Sequence, residues 1–344
     1  MDGDLIIREH TEQHYRTVFN RKTGFFVRKE EKGWPEPTWA IDGPELIDLS
    51  ITNFCKRECT FCYRKANAAN YHHLSLEDVC AVVEQASDCG TLQMALGGGN
   101  PNQHPDFVKI LRLIREHGIV PSYTTNGDGL TEDILRATAD CCGAMAVSVY
   151  PPFKEEYYLR LIEEIQSYGI KVNIHAIIRA DYLELWTRWL LEPPTFLKAS
   201  NAVVFLNYKP LGKNEERLIP KNRSAVEQFF KAANKCNAVR VGFDSCSITG
   251  IVRWMDIPNV LVEPCEAARF SAFISEDMKM YPCSFMVGNE KCGNLRKDSL
   301  REVWRNNVLF NQYRSDVLPE RCSKCAFSDV CKGGCRLFDE INFC

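Results

Sequence analysis

The sequence predicts an α/β protein, a partial (β/α)6 TIM-like barrel followed by a small cysteine-rich C-terminal domain. Three observations predict it. From Leu46 to about residue 240, a short apolar run is followed by a stretch of helical period about six times over. The apolar runs are hydrophobic on both faces, which suits a parallel sheet covered by helices. Beyond residue 240 the alternation stops and cysteines punctuate loop-like sequence. The expected division is an N-terminal extension over 1–45, the barrel over 46–240 and the cysteine-rich domain over 241–344.

In the extension, RTVFNRKTGFFVRKEEKG reads as a hairpin turning over Asn20–Gly24, and WPEPTW as a linker. LIDLSITN is a strand ending just before Cys55. SLEDVCAVVEQAS is a helix with Ser75 as N-cap and Asp78 at the capping-box position. TLQMALGGG is a strand that runs into Gly97, Gly98 and Gly99, and PDFVKILRLIREHG is a helix closed by Gly118. IVPSYTTNG, AMAVSVY, IKVNIHAIIR and AVVFLNYKP are the later strands. They alternate with helices at TEDILRATADCC (opened by Thr131), KEEYYLRLIEEIQSYG (stopped by Gly169), DYLELWTRWLL and RSAVEQFFKAANK. In the C-terminal domain, RFSAFISEDMKMYPC alternates like a hairpin around Glu276–Asp277, and DSLREVWRN is one short helix amid loop. So small a module needs a metal to hold it. Six units are too few for a closed eight-fold barrel. In this class chemistry sits beyond the C-terminal ends of the strands, where Cys55, Gly97–Gly99, Asn126 and Ser148 fall.

The totals exclude several roles. A net charge of −3 makes no electrostatic case for nucleic acid or an acidic membrane. No apolar run approaches the roughly 18 residues of a spanning helix. MDGDLIIREH lacks the basic and apolar regions of a secretory signal, so a cytoplasmic protein is expected. Seventeen cysteines, an odd number in a chain of 344 residues without an export signal, point to metal or redox chemistry rather than disulfides. Cys80, Cys89, Cys141, Cys142 and Cys236 have no spacing pattern and read as small buried hydrophobes.

Cys55, Cys59 and Cys62 follow C-x3-C-x2-C. Zinc ribbons use pairs of C-x2-C, whereas three thiolates can hold three irons of a [4Fe–4S] cube and leave the fourth open. With Phe61 they resemble the C-x3-C-x-aromatic-C signature of the radical S-adenosylmethionine (SAM) superfamily, placed as in that family after the first barrel strand. The resemblance implies that Cys55, Cys59 and Cys62 hold a [4Fe–4S] cluster whose open iron chelates SAM. It implies reductive cleavage to a 5′-deoxyadenosyl radical that abstracts a hydrogen. LGGGNPNQHPDF resembles the family's Gly-Gly-Glu-Pro motif, implying that Gly97, Gly98, Gly99 and Asn100 meet the SAM amino group. Asn100 stands where Glu is usual and offers an uncharged acceptor. By position, Asn126 and Ser148 resemble ribose and carboxylate contacts, and Arg179 a partner of the SAM carboxylate. His175, alone within a strand, reads as structural.

Cys322-x2-Cys325-x5-Cys331-x3-Cys335-x8-Cys344, preceded by Cys265-x17-Cys283, resembles the SPASM extension of that superfamily, which carries two auxiliary [4Fe–4S] clusters. The resemblance gives Cys322, Cys325, Cys331 and Cys344 to the second auxiliary cluster, and Cys265, Cys283 and Cys335 to the first. Met278 stands where a glycine is usual. The fourth ligand of the first is Cys246, Cys292 or no protein group. Cys246 reads equally as a hydrogen-atom donor or an inert thiol, and Asp244 as a base for substrate oxidation or a turn cap.

The activity implied is hydrogen abstraction from a peptide or protein substrate, leading to crosslinking, oxidation or epimerisation, with an electron donor such as flavodoxin or ferredoxin. Residues 1–45 are too short and helix-poor for a complete winged-helix leader-recognition domain, so a separate leader-binding protein or the barrel mouth is expected to recognise the precursor. The alternatives are a small-molecule dehydrogenase of an alcohol or amino sugar, and a non-catalytic iron–sulfur scaffold.

Overall fold

The computed structural model describes residues 4–57, 59–211, 216–315 and 318–344. The N-terminal segment is a three-stranded antiparallel sheet in the order β1 (Leu5–His10), β2 (Tyr15–Asn20), β3 (Phe26–Glu30). β2 and β3 form the expected hairpin. The Asn20 side-chain carbonyl accepts the Lys22 and Thr23 N–H groups, and Gly24 turns with φ of 75°. β1 is an addition to the sequence reading. Its Leu5 and Ile7 face outward and are exposed, so it lacks the apolar-in, polar-out signal of a half-buried strand.

The barrel follows as β4 (Leu46–Thr52), α1 (Leu76–Asp88), β5 (Gln93–Gly98), α2 (Phe107–Glu116), β6 (Val120–Thr125), α3 (Glu132–Cys141), β7 (Met145–Ser148), α4 (Glu155–Ser167), β8 (Val172–Ile178), α5 (Leu183–Leu191), α6 (Thr195–Ala199), β9 (Ala202–Asn207), α7 (Arg223–Lys235) and β10 (Val241–Phe243). The strands from β4 to β10 are all parallel and lie side by side in chain order. Ser75 and Thr131 cap their helices, accepting the Asp78 and Ile134 N–H groups. Ile47, Leu49 and Ile51 of β4 enter the main hydrophobic core, while Asp48 points to the other face.

The parallel run does not stop at residue 240. β10, only three residues long, adds a seventh strand, too short for periodicity to reveal. After α8 (Ile248–Trp254), β11 (Ser271–Ile274) lies parallel to β4 on its free side. β11 then pairs antiparallel with β12 (Lys279–Tyr281), and β12 with β13 (Gly293–Asn294). The cysteine-rich region thus continues the barrel sheet, to ten strands. It ends in α9 (Leu300–Asn306), α10 (Val308–Ser315) and the single turn α11 (Ser328–Cys331); α8, α10 and α11 lie where the sequence predicts loop. Arg28 of β3 joins the N-terminal sheet to the barrel base, paired with Glu45 at 2.7 Å, with Glu266, and stacked 3.7 Å over Phe270. Among the described residues no helix is long and apolar enough to cross a membrane.

Candidate active site

The loop after β4 carries Cys55, Cys59 and Cys62. Turns formed by the Cys62 N–H on the Cys59 carbonyl and the Lys65 N–H on the Cys62 carbonyl fold it back, so the three thiols sit within electrostatic reach of one another. Burial raises the Cys55 and Cys59 thiols, and their neighbours' negative charge adds to it. Such a set releases its protons only when a cation replaces them, as iron would.

The glycines of β5 divide into two roles. A Cβ on Gly98 (φ of 112°) would lie 2.0 Å from the Thr52 carbonyl, and one on Gly99 would lie 2.0 Å from the Phe54 carbonyl. These two are glycines because the cysteine loop packs on them, and the Gly99 and Asn100 N–H groups bond those same carbonyls. Gly97 alone faces open space, so the close approach of a ligand expected of all three fits only there.

Asn100 does not reach outward. Its side chain is buried, accepts the Asn126 N–H at 3.0 Å and donates to the Asp128 carbonyl at 3.0 Å. Asn126 in turn directs its amide nitrogen at Cys55 Sγ, 3.6 Å away. Arg57, inside the cysteine loop, holds both oxygens of Asp128 at 2.7 Å. The hydrogen bond with Asp128 raises the Arg57 guanidinium above its ordinary range. Phe61 packs against Tyr150 with centroids 5.1 Å apart, and the Arg179 guanidinium lies 5.0 Å above the Phe61 ring. Ser148 lies beside the Tyr150 phenol. Arg179 is already engaged, with bonds of 3.0 and 2.6 Å to Asp181. Arg64 ties the loop to the C-terminal domain through Glu276 at 2.6 Å, and Ser50 donates to the same carboxylate at 2.6 Å.

The remaining cysteines fall into two further groups. Cys322, Cys325, Cys331 and Cys344 are mutual electrostatic neighbours. Cys265, Cys283 and Cys335 form the other, with Cys265 Sγ 3.9 Å from the Tyr313 hydroxyl. Burial pushes the Cys283 thiol up to about 12. Cys246 joins this second group beside Cys335, and their interaction raises Cys246 and lowers Cys335. Asn207 at the end of β9 donates to both the Cys246 and Ile341 carbonyls, clasping the two segments together. Cys292 stands apart, beside the Tyr281 phenol. Of the five cysteines without pattern, Cys89 and Cys141 are buried and Cys80, Cys142 and Cys236 partly so.

Asp244 is not a free carboxylate. It pairs with Lys209 at 2.7 Å, accepts the Asn207 N–H at 3.1 Å and the Ser247 hydroxyl at 2.8 Å. Burial alone would depress the Lys209 ammonium, but Asp244 and Cys246 hold it above its ordinary range. Lys209 was missed in the sequence, where NYKP shows only a lysine at a strand's end. Asp48 was also missed, although a carboxylate inside LIDLSITN was the signal. It lies between β5 and β11 on the face away from the helices, with an exposed side chain, and the protein packed around it raises its carboxyl to about 6. His175 meets the Thr124 hydroxyl at 3.2 Å, and burial lowers it to about 4, leaving it neutral.

Among the described residues no three His, Cys, Asp or Glu side chains are placed to share one metal ion. The all-thiol composition of the three groups suits iron–sulfur ligation, in which each sulfur takes a different iron.

Comparison with known proteins agrees with this donor chemistry. Residues 49–181 match the radical SAM superfamily, and residues 265–326 match SPASM, an iron–sulfur cluster-binding domain. The PqqA peptide cyclase of Ruegeria pomeroyi is 24% identical over 324 residues, covering 88% of this chain and 85% of that protein. The AdoMet-dependent heme synthase of Methanosarcina barkeri is 22% identical over 325 residues, covering 86% and 92%. The fold is shared with Streptococcus suis SuiB bound to precursor peptide SuiA, at a TM-score of 0.73 and 14% identity over 96% of this chain and 94% of that one.

Proposed function

Because the chain belongs to the radical SAM superfamily and carries a SPASM domain, we propose that it abstracts a hydrogen atom from a ribosomally made peptide and so crosslinks, oxidises or epimerises it. The observation that carries the peptide reading is the relative named as a peptide cyclase, aligned along nearly nine-tenths of this chain. The enzyme uses iron–sulfur clusters and SAM. When bound, they supply reductive cleavage of SAM and a 5′-deoxyadenosyl radical.

In this reading Cys55, Cys59 and Cys62 hold the SAM-binding cluster, and Gly97 lets the ligand approach the backbone. Phe61, Tyr150 and Ser148 wall the adjoining space, with Arg179 stacked over Phe61. Cys322, Cys325, Cys331 and Cys344 hold the second auxiliary cluster. Cys265, Cys283 and Cys335 hold the first, and the place of Cys246 beside Cys335 supports it as the fourth ligand rather than as a hydrogen-atom donor. Asp244, committed to Lys209, serves as the anchor of that corner; Asp48, on the exposed face of β4, is the carboxylate placed to meet the substrate. The heme synthase relative favours a second reading, a small-molecule substrate in the same space.

The test is anaerobic reconstitution, reduction and quantification of 5′-deoxyadenosine with SAM alone, with short peptides encoded beside the gene, and with porphyrins. The peptide reading expects SAM cleavage that rises with one of the peptides and disappears in the Cys55→Ala/Cys59→Ala/Cys62→Ala variant. Stimulation by a porphyrin and by none of the peptides would replace it with the second reading.

A further inference from the structure

Among the described residues Cys55 Sγ has one side-chain hydrogen-bond donor, the Asn126 amide, and five further residues fix how that amide is turned. Asn126 Oδ1 accepts the Asp128 N–H at 2.9 Å. A side-chain amide has one oxygen and one nitrogen, so this bond leaves the nitrogen facing Cys55 Sγ at 3.6 Å. The Asn126 backbone is held in the same way. Asn100 Oδ1 accepts its N–H at 3.0 Å, which fixes the Asn100 nitrogen on the Asp128 carbonyl at 3.0 Å. Asn102 donates to that carbonyl at 2.8 Å, and the Thr125 hydroxyl lies 3.1 Å from Asn100 Oδ1 and 2.7 Å from Asn102 Oδ1. Asp128 is then fastened by Arg57, two residues after Cys55. Asn100 and Asn126 are both buried, so no water stands in for these partners cheaply.

We propose that Asn126 is a positioning and tuning residue for the SAM-binding cluster, donating an N–H···S bond to its ligand Cys55, and that Asn100 aims that donor from inside the protein instead of contacting SAM. A hydrogen bond to a ligand sulfur withdraws electron density and raises the reduction potential, making the electron needed for SAM cleavage easier to accept. The inference rests on Cys55 being a cluster ligand. Asn100 governs this bond because both of its amide atoms are spent on the 126–128 turn.

The experiment uses the full-length protein, anaerobically reconstituted, with SAM as the probe. The signal that changes on adding SAM in electron paramagnetic resonance identifies the cluster, and its midpoint potential is titrated in wild type, Asn126→Leu and Asn100→Ala. The expected result is a negative shift in Asn126→Leu at unchanged iron and sulfide, with a smaller negative shift in Asn100→Ala. An unmoved midpoint in Asn126→Leu overturns the proposal. If either variant fails to load iron, the wild type decides. Grown with 15N-asparagine and measured without SAM, it shows a 15N hyperfine coupling on the reduced cluster if the bond exists and none if it does not. A SAM-responsive signal that survives in Cys55→Ala would instead overturn the ligand assignment beneath the proposal.

Discussion

Two of the cysteine groups are built by opposite means. Cys55, Cys59 and Cys62 come from one short loop, and the fold's task is only to brace it, through the Thr52 and Phe54 carbonyls, Asp128, Asn126 and Glu276. Cys246, Cys265, Cys283 and Cys335 come from four places: after β10, before β11, after β12 and near the C-terminus. They meet because β11 joins the barrel sheet beside β4 and because Asn207 clasps the segments of Cys246 and Ile341. Local spacing assembles the first group, whereas tertiary pairing assembles the second. Damage to the fold should therefore reach the second group first.

The largest effect that sharpens this contrast concerns the fourth thiol. Cys246→Ala is expected to lose a cluster's worth of iron, roughly a third of the total if three [4Fe–4S] clusters load, while Cys292→Ala keeps it. Iron and sulfide analysis with Mössbauer spectra checks this; equal iron in both variants would break the assignment of Cys246. Next is the buried pair behind that corner. Lys209→Met strands the Asp244 carboxylate and is expected to cost about 3–5 kcal/mol, read as a fall in unfolding midpoint. Adding Asp244→Asn should recover part of the loss, because the uncharged amide keeps an acceptor for Ser247. Retention of wild-type stability in Lys209→Met would show that the pair is not a structural anchor.

A smaller effect is expected at Asp48. Its folded carboxyl is raised to about 6 from an ordinary value near 3.8, so between those values the folded state holds more protons than the unfolded one. This group's contribution to stability therefore falls as pH rises from about 4 to 6 and then levels off. Asp48→Asn removes that dependence, so its advantage over wild type should grow across the same window and stay constant above it. Denaturant unfolding at successive pH values measures this, and an advantage independent of pH would mean that Asp48 titrates normally. Because Asp48 keeps solvent contact, the effect is expected to be smaller than the shift alone would give.

Much of the fold was legible because the signals are local. Ser75 and Thr131 announce their helices, Asn20–Gly24 its turn, and the doubly apolar strands a covered parallel sheet. β1 and β10 were not, since an exposed apolar face and a three-residue strand leave no periodic trace, nor was α10, which is separated from α9 by one residue. At the site, the positions of Gly97–Gly99 were readable but their uses were not. Whether a missing Cβ makes room for a ligand or for the chain's own backbone depends on what lies opposite.

By itself the sequence determined the barrel class and the spacing of the three-cysteine loop, because each depends on residues close in the chain. Only the tertiary structure decided that Asn100 turns inward, that Asn126 faces Cys55, that Asp244 is bound to Lys209 and that Cys246 meets Cys335. Those contacts join residues from 26 to 89 positions apart, and such pairings are chosen by how strands and loops pack.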